Sequence, residues 1–80
     1  MKTNEIKIEQ NELTTADYVI TYACNDAVTI TCAYTHKIIA THPSGNTAKS
    51  LRFIREFIGD ETGEIVHRFG RSLYDWCMWN

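Results

Sequence analysis

Eighty residues allow one domain, 1–80, and one small core; a chain this short hides only about 60% of its unfolded surface, leaving few buried positions for an elaborate site. A hydrophobic fraction of 44%, with three Phe, two Trp and four Tyr, excludes a disordered chain, and a net charge of −2 argues against a general nucleic-acid binder, which carries a basic excess. The charge is uneven: residues 1–35 hold two Lys against five acids, and residues 36–80 hold six Lys or Arg against five acids.

Glu5 to Gln10 alternates strictly, with Ile6 and Ile8 on one face, and predicts a first strand at a sheet edge. Asn11 to Ala16 is polar and reads as a connector. Asp17 to Thr35 holds two alternating runs hinged on Asn25-Asp26, the pattern of a β-hairpin. A two-residue loop would mix apolar and polar side chains on both faces. A three-residue loop, Asn25 to Ala27, pairs Tyr18 with Tyr34, Ile20 with Cys32, Tyr22 with Ile30 and Cys24 with Val28, which makes one face wholly apolar. Val19, Thr21, Ala23, Thr29, Thr31 and Ala33 then form the outer face.

His36 to Thr41 either continues the long strand or forms a fourth one, and Pro43, lacking an N–H, ends the ladder. Asn46 predicts an N-cap for a helix from Thr47 to about Ile58, with Ala48, Leu51, Phe53, Ile54, Phe57 and Ile58 over a broad arc and Gly59 as its stop. A second helix starts near Asp60 or Thr62 and runs to Trp76–Trp79. Ile65, Val66, Phe69, Leu73, Trp76 and Cys77 form its inward stripe. Gly70 borders that stripe and suits close approach to the first helix or the sheet. The expected fold is α+β: an N-terminal antiparallel sheet of three or four strands covered by two C-terminal helices.

No apolar run approaches the roughly 20 residues needed to span a bilayer, and MKTNEIKIEQ has no signal-peptide core. Cys24 and Cys32 are out of line or on opposite faces in either register, beyond the ~7 Å Cα limit for a disulfide, so free thiols in the cytoplasm are expected. The cysteines and histidines lack the spacing of a zinc site, and no metal or cofactor is expected. Ser50 and Ser72 have no nucleophile elbow, no glycine-rich phosphate loop is present, and Asp60, Glu61 and Glu64 read as capping and dipole groups. An enzyme is not expected.

Arg71, Tyr74, Met78 and Trp79 fall on the outer arc of the second helix, and Arg, Tyr, Trp and Met are enriched at protein interfaces. A second candidate surface is the Thr-rich hairpin face, Thr29 and Thr31, with Glu9, Asp17 and Asp26 near it, suited to a basic partner. The outer face of the second helix, with His67, Arg68, Arg71 and Tyr74, carries the alternative of a small nucleic-acid-binding regulator. Homodimerisation through the terminal aromatics or the first strand is compatible with either.

A short chain with a sheet around an Asn-Asp hairpin, a helix closed by Gly59 and then a second helix resembles small phage-encoded anti-CRISPR proteins that inhibit type I surveillance complexes. The resemblance spans nearly the whole chain as an order of elements and includes no residue motif, so no functional residue is carried over from it. It implies a non-enzymatic inhibitor in the host cytoplasm that binds a Cas complex and blocks DNA binding or nuclease recruitment. Glu9, Asp17 and Asp26 would then compete for the Lys and Arg residues that hold nucleic acid.

Overall fold

The computed structural model describes residues 6–79. Five strands, β1 Lys7–Glu9, β2 Glu12–Thr14, β3 Tyr18–Tyr22, β4 Val28–Cys32 and β5 Ile38–His42, precede two helices, α1 Thr47–Ile58 and α2 Glu64–Trp79. The strands form one antiparallel sheet in the order β1-β2-β3-β4-β5. The α+β arrangement is as expected, with one or two strands more. Glu5, the first residue of the expected β1, lies outside the described residues.

The extra strand is β2, inside the segment read as a connector. It has three residues and one inward side chain, Leu13, too short for a period of two to show. Leu13 is nonetheless fully buried, opposite Ile8 on one side and Ile20 on the other. Asn11 fastens the far end of β2 to β3. Its carbonyl accepts the Tyr22 N–H at 2.9 Å, and its side-chain amide donates to the Tyr22 carbonyl at 2.9 Å.

The central hairpin pairs Tyr18 with Cys32, Ile20 with Ile30 and Tyr22 with Val28. The expected register was displaced by two residues. A slip of two preserves the faces, so Tyr18, Ile20, Tyr22, Val28 and Ile30 stay on the helix-facing side. The loop is three residues long but sits at Cys24–Asp26. The Asp26 N–H donates to the Ala23 carbonyl, the Ala23 N–H donates to the Ala27 carbonyl, and Asp26 takes the left-handed conformation at φ 75°. The shift puts Cys24 in the loop and leaves Tyr34 beyond the end of β4, and both are exposed rather than buried.

The segment from His36 divides from β4 at a turn in which His36 adopts φ 64°, so β5 is a separate strand. Ile30 faces Ala40 and Thr31 faces Ile38, so Ile39 is the extra residue of a bulge. The ladder ends at His42, immediately before Pro43.

Both helices lie on one face of the sheet. Leu13, Ile20, Tyr22, Val28 and Ile30 meet Ile54 of α1 and Phe69 and Leu73 of α2 in the core. Asn46 caps α1 by accepting the Lys49 N–H at 2.9 Å, and Gly59 ends it in the left-handed region that its missing side chain permits. Ser50 is fully buried in α1, where the apolar arc passed over it; its hydroxyl donates to the Asp26 carbonyl. The second helix begins later than expected, at Glu64. Asp60 still serves it, accepting the Val66 N–H at 2.9 Å. No helix of the described residues is long and apolar enough to cross a membrane.

Candidate protein-binding groove between the helices

Gly70 occupies the middle of α2, opposite Leu51 of α1. A methyl group there would meet the Leu51 Cδ1 at 3.9 Å, an ordinary van der Waals separation. Close approach therefore does not account for this glycine, contrary to the expectation, and a glycine inside a helix costs about 0.5–1 kcal/mol relative to alanine. The missing side chain leaves an open floor. On one side lies a cleft of about 540 Å³, with Val66 and Leu51 at its base and His67, Arg71 and Asp75 at its rim. On the other lies a smaller hollow of about 240 Å³ reaching Leu73 and Cys77 and bounded by Asp26 and Thr47. Leu51, Gly70 and Tyr74 line both, so the two form one groove along the α1–α2 seam.

Tyr74 stands over this groove with 67% of its surface exposed, and Met78, one turn further along the helix, is 66% exposed. Two of the residues singled out on the outer arc, Arg71 and Tyr74, thus share one concave surface, and Met78 extends their helix face. The Trp79 side chain lies outside the described part of the structure. Cys77, read as an inward residue, is exposed and reaches the groove's narrow end.

The other predicted site residues lie elsewhere. Glu9 is exposed on β1 directly opposite Glu12, a like-charge pair that makes one corner of the sheet acidic. Thr29 and Thr31 are half-buried on the outer sheet face. Thr29 stands between Thr21 and Thr41, and the Thr31 hydroxyl donates to the Val19 carbonyl. Asp17 is exposed in the turn before β3, where its carbonyl accepts the Ala33 N–H next to the Val19–Thr31 pair. The sheet face and the groove lie on opposite sides of the molecule, so a single small docking segment does not span both.

Asp26 is committed inward. Its carboxylate accepts from the Tyr22 hydroxyl at 2.6 Å and from the Thr47 hydroxyl at 2.9 Å. Burial, and then the bonded Asp26 carboxylate, push the Tyr22 hydroxyl from 10.0 up to about 12. The unfolded chain therefore loses this proton first. Stability is full below about pH 10 and falls as the pH rises towards 12. Denaturant melts across that window should show the decline, and Tyr22→Phe should remove most of it; an unaltered slope in the variant would contradict the assignment.

The Ser50 hydroxyl lies 3.4 Å from His42 Nδ1. Ser50 has no solvent-accessible surface and its proton is engaged by the Asp26 carbonyl, so this Ser-His contact ties α1 to β5 and is not an open nucleophile. Among the described residues, no group of three or more His, Cys, Asp or Glu is placed to hold a metal ion.

Fold and groove together define a small α+β domain with a concave, aromatic-rimmed helical seam. In comparisons with known proteins, no family model, no curated protein and no solved structure matches the chain.

Proposed function

We propose that this chain is a non-enzymatic protein-binding module that docks its partner in the α1–α2 groove. The observation that carries the reading is Gly70, a helix-interior glycine that packing does not require and whose absent side chain opens the groove floor. Arg71, Tyr74 and Met78 around that floor are of the types that dominate interface energetics. The occupant this surface suits is a partner segment with an apolar or aromatic side chain for the Leu51–Val66–Gly70 floor and a carboxylate to meet Arg71.

The order of elements, like that of the phage-encoded inhibitors, makes a host type I surveillance complex the partner we propose. The chain would act in the host cytoplasm by blocking DNA binding or nuclease recruitment. Because Asp26 is held by Tyr22 and Thr47, mimicry of nucleic-acid charge would fall to Glu9, Glu12 and Asp17, and the groove would supply the main anchor.

Size-exclusion of the chain with purified type I surveillance complexes tests this directly. Co-elution is expected, with affinity falling at least about tenfold on Tyr74→Ala or Arg71→Glu and unchanged by Thr29→Lys on the opposite face. Retention of no complex, or equal retention of the groove variants, would overturn it. A salt-sensitive shift of random DNA by the chain alone would favour the nucleic-acid reading of α2 instead.

A further inference from the structure

We propose that the cleft between the β2–β3 turn and the end of α1 receives an arginine side chain of a partner protein. The cleft measures about 390 Å³ and shares no lining residue with the α1–α2 groove. Its apolar wall is made by Ile6, Ile58 and Ile65, each half-buried against the core. Tyr18 and Phe57 form an adjoining aromatic corner, with ring centroids 4.9 Å apart and planes inclined at 74°. Such walls take the alkyl stem and the flat face of a guanidinium.

Three observations fix the sign of the charge that fits there. The first is Asp17 at the mouth. Its N–H donates to the Thr15 hydroxyl at 3.2 Å and its carbonyl accepts the Ala33 N–H at 2.9 Å, so its backbone is pinned. Its carboxylate accepts no hydrogen bond from any described residue and is free to bind. The second is the negative pole of α1, which ends at this cleft. The Gly59 and Asp60 N–H groups both donate to the Arg55 carbonyl, which leaves the Phe57 and Ile58 carbonyls without a backbone donor. The third is that no Lys, Arg or His lines the cleft, whereas the groove rim carries His67 and Arg71.

Arginine suits this combination better than lysine. Its planar group can stack on Tyr18 or Phe57 while two of its N–H groups meet the Asp17 carboxylate, and it is more weakly hydrated than an ammonium. The assignment gives the charge-mimicry reading of Asp17 a defined receptor. The cleft's own chemistry does not depend on which partner supplies the arginine, nor on docking in the groove.

The test follows backbone amide shifts of the full, isotope-labelled chain by NMR during titration with a capped Gly-Gly-Arg-Gly-Gly peptide at constant ionic strength. Saturable shifts centred on the Asp17, Tyr18 and Gly59 amides are expected, with the millimolar affinity of a single side chain. The same peptide carrying uncharged citrulline should bind at least about threefold more weakly, and so should the arginine peptide to Asp17→Asn. That variant keeps the turn, because the Thr15 and Ala33 contacts use only the backbone of Asp17. A lysine peptide should bind less tightly than the arginine peptide. Shifts that do not saturate, or equal affinity for the citrulline peptide or the Asn variant, would overturn the proposal. A lysine peptide that binds as tightly would overturn the choice of arginine, and free L-arginine that binds more tightly than the capped peptide would overturn the protein source. No surveillance complex enters this titration, so its failure leaves the groove reading to its own test.

Discussion

Asp26→Ala should destabilise the protein by about 2–5 kcal/mol, a large share of the stability of a domain this small. Asp26 is where the hairpin loop meets both the sheet and α1. Its carboxylate holds the Tyr22 hydroxyl at 2.6 Å and the Thr47 hydroxyl at 2.9 Å, and its carbonyl accepts from the buried Ser50. Removing the carboxylate takes away a charge-assisted hydrogen bond and strands the hydroxyl of Tyr22, whose residue is only 4% exposed, at a cost of about 1–3 kcal/mol. Alanine must also adopt φ 75°, which adds about 1–2 kcal/mol. Asp26→Asn keeps an acceptor and tolerates the left-handed backbone, so about 1 kcal/mol is expected, and Asp26→Gly should fall between the two. Urea denaturation of the three variants measures this ranking. Equal small losses in all three would show that the carboxylate is a bystander.

Much of the fold was legible in local signals. The alternation at Asp17–Thr35 identified the hairpin and its buried face, Pro43 marked the end of β5, and Asn46 and Gly59 bounded α1. These features depend on one residue's backbone preference or on a period of two. The hairpin register was missed because a slip of two residues leaves both faces unchanged, so burial alone does not choose between the two pairings. The turn chemistry does choose: with the loop at Cys24–Asp26, the residue that must adopt positive φ is an aspartate, whereas the other loop would put Ala27 there.

β2 was invisible because a three-residue strand with one apolar side chain has no period. Ser50 was missed although it lies four residues before Ile54 on the same helical face. The partner that satisfies its hydroxyl, the Asp26 carbonyl, is 24 residues away in sequence. Of the candidate site, the outer-arc residues Arg71 and Tyr74 were readable from helical spacing. The groove was not, because it depends on how far α1 stands from Gly70.

Gly70 gives the second prediction of large effect, in which stability and binding move in opposite directions. Gly70→Ala should stabilise the protein by about 0.5–1 kcal/mol, because the new methyl group meets only Leu51 Cδ1 at an ordinary 3.9 Å and the unfolded chain loses freedom. The same methyl raises the groove floor. Gly70→Leu goes further and fills the space between Leu51, Val66 and Tyr74, the position assigned to the partner's anchor. Binding should weaken severalfold with alanine and by about a hundredfold or more with leucine, the scale of losing a central hot spot.

The most direct measurement is a calorimetric titration of the folded Gly70→Leu chain, beside the wild type, into the type I surveillance complex proposed as its partner. Loss of measurable binding, with the variant's far-ultraviolet spectrum and cooperative melt preserved, is the predicted result. A well-folded Gly70→Leu chain that binds with wild-type affinity would contradict the placement of function in the α1–α2 groove.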